Sequence, residues 1–282
     1  MMAEKAGDAN RTKAFALQAF ASGIAFGVGG FIIPVVVVFE WMGLSSKESH
    51  VLLYIILALA ALASTYLMLK VSESKTLKTG KFTIRNLVPQ KSKGTVLKYT
   101  TAGAIIAFGA GMVVPLMTYW LHVAYSIPDS VSGPIIGISN ILIGVANLAA
   151  PPLARRIGLV RSIVVTQIIS TVFMIATPIS PNWVAASSVW TVRTFLMNMA
   201  NPLQQSMIMG LVSPEERGVA SGISGALWRL PNALSTSLGA GLMAAGFLGE
   251  PFFLAGGLYV VSISLFWIFF RKTKMPEEMG KQ

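Results

Sequence analysis

The sequence predicts an all-α integral membrane protein. Of its 282 residues, 54% are hydrophobic and only 12% are charged, whereas soluble domains carry about 25% charged residues. The hydrophobic residues form long runs, and a helix that crosses a bilayer needs roughly 20 of them. Backbone groups in lipid must be hydrogen-bonded within their own segment, so these runs are expected to be helices. They lack the alternation of period two that strands of a membrane barrel require.

Eight segments are long and apolar enough to be predicted as transmembrane helices. They cover residues 14–39, 51–69, 99–122, 132–154, 160–179, 184–211, 219–247 and 252–270. The single long polar link, residues 71–98, carries seven Lys or Arg. We expect it to be a solvated cytoplasmic linker, with contact to anionic lipid as the alternative. It separates two predicted helices in residues 1–70 from six in residues 99–271.

The basic residues predict the orientation in the membrane. If the N-terminus is cytoplasmic, 19 of the 22 Lys and Arg fall on the cytoplasmic side, including the tail 272–282, and one falls outside. This bias is typical of membrane topology, which explains the net charge of +11 better than nucleic-acid binding does. Both termini are therefore expected in the cytoplasm.

Few residues suit catalysis or metal binding. The chain has no cysteine and two histidines, so thiol chemistry and thiolate metal sites are excluded. The sequence shows no buried acid/base pair, metal-ligand spacing or phosphate-binding loop. We expect a protein that is not an enzyme, with no cofactor and no metal.

A basic turn between two apolar segments carries a family resemblance. In the stretch Gly144–Gln167, three arginines lie within seven residues. The turn, together with six helices after a basic linker, resembles the C-terminal half of a major facilitator superfamily transporter. Arg156 and Gly158 match the Arg-x-Gly core of that family's cytoplasmic turn, and Arg161 lies near its final basic position. Arg155 replaces the family's acidic residue, which argues against a salt bridge from a carboxylate there.

A second match is the stretch Ser213–Ala226, SPEERGVASGISGA. It resembles the family's acidic-basic-glycine turn, which places Glu216 and Arg217 at the cytoplasmic ends of two helices. With Arg155, Arg156, Gly158 and Arg161, the resemblance implies a gating turn. It also implies twelve helices, so residues 1–70 would be the last two helices of a first half, and the chain would be truncated.

Polar side chains inside the predicted spans are candidates for a solute pathway, because polar groups in a membrane are costly. Residues 184–211 carry a stripe with helical spacing, and Pro202 would leave the carbonyl of Asn198 without its helical partner and favour a kink. The asparagines of residues 132–154 point equally to a pathway or to helix packing. The candidates are Asn140, Asn147, Arg193, Asn198, Asn201, Gln204, Gln205, Arg229 and Asn232.

Arg193 and Arg229 are each about ten residues from a helix end, roughly 15 Å deep and near the midplane. An arginine there costs on the order of 2.5–3.5 kcal/mol. The six helices of the second half contain no Asp or Glu. The two arginines therefore meet an anionic solute, pair with carboxylates from elsewhere, or bind free backbone carbonyls. Arg229 is the stronger candidate for an anion.

The resemblance implies a secondary transporter of a small organic solute that works by alternating access in the plasma membrane. We expect an efflux-type carrier whose partners are the lipid bilayer, an anionic or amphiphilic solute and a coupling proton or other ion. Glu40 and His122 are the titratable candidates for coupling, but each lies at an outer helix end, which favours a position at the membrane interface over a role in coupling. Nucleic acid is not expected. The alternative is a truncated protein without transport, or a half-subunit that needs a separately encoded partner.

Overall fold

The computed structural model describes residues 7–32, 34–70 and 89–273, and this part of the chain is helical with no β-strand. Most of the predicted linker and nearly all of the predicted tail lie outside the described residues. The helices, in chain order, are α1 Gly7–Ile32, α2 Val35–Trp41, α3 Ser46–Leu69, α4 Lys93–Gly111, α5 Met117–Tyr125, α6 Asp129–Ile157, α7 Leu159–Ala176, α8 Trp183–Met199, α9 Asn201–Leu211, α10 Arg217–Ala244 and α11 Glu250–Phe270.

Five stretches among the described residues are long and apolar enough to cross a membrane. They are Ser46–Leu67, Lys93–Tyr125, Ser130–Ile157, Leu159–Ala176 and Glu250–Phe270. The all-helical, multi-span character is confirmed, but the count of eight spans is not.

Three of the predicted segments are each divided into two helices. The breaks fall between α1 and α2, α4 and α5, and α8 and α9. Pro34, Pro115 and Pro202 lie at these breaks, where a proline cannot donate a backbone hydrogen bond. The helix is interrupted next to Pro202, where the sequence predicts a kink, because α8 ends at Met199 and α9 begins at Asn201.

Glycines allow the closest helix contacts. A Cβ on Gly23 of α1 would meet the Cα of Gly144 on α6, and a Cβ on Gly239 of α10 would meet the backbone of Met112 after α4. Small residues at such crossings let helix backbones approach within van der Waals distance, which drives helix association in lipid. Among the glycines of residues 132–154, Gly144 therefore serves the packing of α6 on α1.

The first helix packs on the second half of the chain. Besides its contact with α6, α1 reaches α9, where Thr12 Oγ1 donates a hydrogen bond to Ser206 Oγ at 2.7 Å. By contrast, α3 contacts chiefly α2, and only 6% of the most apolar 18-residue stretch of this helix is buried inside the protein. A helix that is apolar and so exposed is expected to face lipid.

Candidate functional site

A polar cavity of about 510 Å³ lies among the helices of the second half. Walls from α4, α7, α8, α9, α10 and α11 surround it, and amide and hydroxyl side chains line much of its surface. The polar and aromatic lining residues are Tyr99, Thr100, Gln167, Asn198, Asn201, Gln204, Gln205, Ser221, Ser224, Trp228, Arg229, Ser262 and Phe266. A volume of this size suits a small organic molecule.

The break between α8 and α9 positions four of the amides. Asn198 is the last residue but one of α8, and its Nδ2 donates a hydrogen bond to the carbonyl of Thr194 at 2.8 Å. Its Oδ1 accepts a hydrogen bond from Asn201 Nδ2 at 2.9 Å. Asn201, Gln204 and Gln205 follow in the first turns of α9. The bend therefore gathers amide groups from both sides of the interruption at one wall of the cavity.

Arg229 contributes the cavity's cationic group. Arg229 lies on α10 and is exposed, and both it and the preceding residue, Trp228, line the cavity. Within the described residues, no carboxylate lies within 4.0 Å of its guanidinium. One turn earlier, Gly225 leaves open space where a Cβ would stand. The surface of α10 is therefore open one turn before Arg229.

Asn232 and Arg193 do not line this cavity. Asn232 Nδ2 donates to the carbonyl of Ala107 at 3.3 Å, which joins α10 to α4. Arg193 is 2% exposed, and its Nη2 donates to the hydroxyl of Tyr259 at 2.5 Å. Its guanidinium carbon lies 4.8 Å from the ring centroid of Trp190, within range of a cation–π interaction.

The two asparagines of α6 lie elsewhere. Asn140 lines a second cavity of about 540 Å³ between α1, α5 and α6, and its Nδ2 donates to the carbonyl of Ile136 at 3.0 Å. Asn147 is 3% exposed, and its Oδ1 has no hydrogen-bond partner in the described structure. Neither side chain reaches the main cavity.

The arginine turn is a one-residue link. α6 ends at Ile157, α7 begins at Leu159, and Gly158 between them has φ +89° and ψ 154°. This backbone region is practically restricted to glycine. Arg155, Arg156 and Arg161 flank the link with exposed side chains.

The carboxylate of Glu216 is hydrogen-bonded to the residues that precede α4. Its Oε1 accepts hydrogen bonds from the backbone N–H groups of Gln90 and Lys91 at 2.6 and 2.8 Å, and its Oε2 accepts one from Ser92 at 2.9 Å. The hydrogen bond from Lys91 is the largest cause of the lowered pKa of the Glu216 carboxyl. A carboxylate is favoured at a helix N-terminus, which exposes free N–H groups and a positive dipole end.

The neighbouring side chains extend this contact. Ser213 donates its backbone N–H to Ser92 Oγ at 3.0 Å, and Arg217 Nε donates to the carbonyl of Met209 at 2.9 Å. The turn before α10 therefore joins the beginning of α4 and the last residues of α9.

Neither titratable candidate for ion coupling lines the cavity. Glu40 is exposed on the short helix α2. His122 is exposed on α5, and its Nδ1 lies 2.9 Å from the carbonyl of Ile127.

Several residues that line the cavity are not among those predicted from the sequence. Gln167 is 3% exposed on α7, and Ser224 Oγ on α10 is buried without a hydrogen-bond partner among the described residues. Gln167 interrupts an apolar run, so the criterion that selected the other amides could have found it. Tyr99, Trp228 and Phe266 carried no such signal, because aromatic residues are common in any membrane helix.

A chain of long apolar helices around a polar cavity defines a multi-pass membrane protein that can hold a small solute. The model of the Major Facilitator Superfamily matches residues 99–281, and the chain belongs to that family. A search of curated proteins finds no match. Members of this family are membrane transporters and not enzymes, so the protein resides in a lipid bilayer and belongs to a class that binds small solutes.

Proposed function

We propose that the protein is a secondary active transporter that binds a small organic anion in the cavity at Arg229 and moves it by alternating access. The observation that carries this proposal is the exposed guanidinium of Arg229 in a polar cavity, without a carboxylate partner among the described residues. A cation at a cavity between membrane helices attracts an anion more strongly than it would in bulk water, because the surrounding dielectric constant is lower. The amides of Asn198, Asn201, Gln204 and Gln205 can hydrogen-bond the rest of the solute.

The solute class we propose is an amphiphilic carboxylate or a similar anion. Tyr99, Trp228 and Phe266 offer aromatic surface within the same cavity as Arg229. A ligand site typically combines such apolar walls with a few polar groups that fix orientation. An amphiphilic solute also partitions into the bilayer, which is why we propose efflux across the plasma membrane as the direction of transport.

The proposed transporter has eight transmembrane spans in this chain. Residues 1–70 and 99–271 belong to separate halves, and both termini lie in the cytoplasm. The distribution of Lys and Arg supports this orientation. Arg155, Arg156, Gly158, Arg161, Glu216 and Arg217 form the proposed cytoplasmic gating turns. Their support is that each turn joins consecutive helices, and that Glu216 bonds to the beginning of α4. Arg193, Asn140, Asn147 and Asn232 would then support the pathway without contacting solute in this conformation.

Flux measurements in proteoliposomes test the proposal. The purified protein would be reconstituted and loaded with a panel of labelled aromatic carboxylates, and efflux would be followed with and without a pH gradient. We expect saturable efflux of at least one anion, and we expect Arg229→Ala to lower its rate at least about tenfold, as loss of a charge-assisted contact does. Acceleration by the pH gradient would identify a proton as the coupling ion.

Lys47→Ala is the matched control, because Lys47 is an exposed basic residue in the first turn of α3, far along the chain from the cavity helices. It should transport like the wild type. Arg229→Lys keeps the charge and should retain part of the activity. Equal efflux by Arg229→Ala and wild type for every transported anion would remove Arg229 from the solute site.

A further inference from the structure

A second, apolar groove runs along the outer surface between α7 and α11. It has a volume of about 800 Å³ and is separate from the polar cavity. Its walls are branched aliphatic side chains, and several are largely exposed, with Ile168 at 50%, Val172 at 63% and Val260 at 55%. An apolar groove of this kind, on the surface of two membrane helices, can accommodate a hydrocarbon chain.

The groove is long enough for an acyl chain. Its α7 wall follows one helical face from Arg161 to Ile175, which is about 21 Å at the helical rise. One leaflet of the hydrocarbon core is about 15 Å thick, half of the full core. An acyl chain in this groove would therefore stay in contact with protein through its whole leaflet.

One end of the groove is positively charged. Arg161 lines it in the first turn of α7, and Trp267 lines it near the end of α11. Arg271 follows one turn beyond Trp267, so its side chain projects from the same face of α11. Within the described residues, Arg161 has no carboxylate within 4.0 Å, and the groove lining contains no acidic residue.

We propose that this groove binds one anionic phospholipid, with an acyl chain between α7 and α11 and the headgroup phosphate paired with Arg161. The apolar groove alone would accept the acyl chain of any lipid, so the positive charge at its end determines the preference for an anionic headgroup. Arginine forms bidentate hydrogen bonds with phosphate oxygens, and basic sites between membrane helices are known binders of anionic headgroups. Trp267 would lie at the headgroup level, where tryptophan is favoured. This site is independent of the proposed solute.

Native mass spectrometry of the detergent-purified chain tests the proposal with two lipids of identical acyl chains. We expect phosphatidylglycerol to bind about fivefold more tightly than phosphatidylcholine, the gain expected for one basic residue near the membrane surface. Arg161→Gln should bind the two lipids equally, and Arg161→Lys should keep part of the preference. Val172→Trp, which fills the groove without changing charge, should weaken the binding of both lipids.

Arg156→Gln is the matched control, since Arg156 is an exposed arginine five residues earlier that does not line the groove. It should keep the preference of the wild type. Equal loss of preference in Arg156→Gln and Arg161→Gln, or unchanged binding in Val172→Trp, would overturn the proposal. Tight binding of glycerophosphoglycerol alone would show a free-phosphate site instead. A change of oligomeric state in Val172→Trp without lipid would show that a second copy occupies the groove.

Discussion

The junction around Arg193 and the cavity wall around Arg229 place the same side chain in opposite environments. Arg193 is 2% exposed, bonded to Tyr259 and stacked against Trp190. Arg229 is exposed at an amide-lined cavity without a carboxylate partner among the described residues. An arginine inside a membrane helix is thus not by itself a sign of an anion site. The number of its contacts within the protein separates a structural arginine from one available to a solute.

The largest expected difference between the two sites is in stability. Arg193→Ala removes a buried side chain and leaves the hydroxyl of Tyr259 without its donor, so we expect the free energy of unfolding to fall by about 3 kcal/mol. Arg229→Ala should change it by less than about 0.5 kcal/mol, as exposed substitutions usually do. Reversible unfolding in mixed micelles measures both values. Equal losses in the two variants would contradict the comparison.

A smaller effect tests whether Tyr259 is the partner that fixes Arg193. Tyr259→Phe keeps the ring beside the guanidinium, whose carbon lies 5.4 Å from the ring centroid, and removes only the hydroxyl. We expect a loss of about 1.5 kcal/mol, the value of one hydrogen bond to a charged group. A double-mutant cycle with Arg193→Met should give a coupling energy of similar size.

The same cycle between Tyr259→Phe and Arg229→Met is the control, and it should give additive losses, because no contact links these two residues. Coupling there as large as at Arg193 would mean that the two sites are one unit.

The smallest expected effect concerns the contact between Glu216 and the beginning of α4. The pKa of its carboxyl is lowered in the folded protein, chiefly by the N–H of Lys91. The contact is therefore complete above the carboxyl's ordinary pKa and is lost as the pH falls through the lowered value. We expect Glu216→Gln to increase amide exchange at Gln90–Ser92 a few-fold at neutral pH, and this difference from the wild type to vanish in acid.

Glu215→Gln is the neighbouring control. Glu215 lies 3.8 Å from Lys91 Nζ in an exposed ion pair and accepts none of the three backbone hydrogen bonds of its neighbour. It should leave the exchange at Gln90–Ser92 close to that of the wild type. If amide exchange were the same in Glu216→Gln and the wild type at every pH, the hydrogen bonds to Glu216 would not stabilise the beginning of α4.

Sequence patterns predicted the membrane class, the family and the positions of most helices, although α1 begins at Gly7 instead of residue 14 and α4 begins at Lys93, inside the predicted linker. These depend on composition and local spacing, because a bilayer demands long apolar helices and the family's turns are short motifs. The amide wall from Asn198 to Gln205 also followed from one local feature, the proline that interrupts its helix. The count of eight spans is not confirmed, because Pro34 and Pro202 divide two of the predicted segments into separate helices and the undivided helix α10 is not among the five apolar stretches.

The sequence favours Arg229 over Arg193 as the contact for an anion, but it predicts a similar depth for both arginines. Only the tertiary structure places Arg193 in a buried contact with Tyr259 and Arg229 at the lining of the cavity. Tyr259 lies 66 residues from Arg193 along the chain and on another helix, so no local pattern pairs the two residues. Glu216 finds its donors more than 120 residues away at the beginning of α4. Such contacts arise from helix packing across the bundle, which the local spacing of residues along one helix cannot encode.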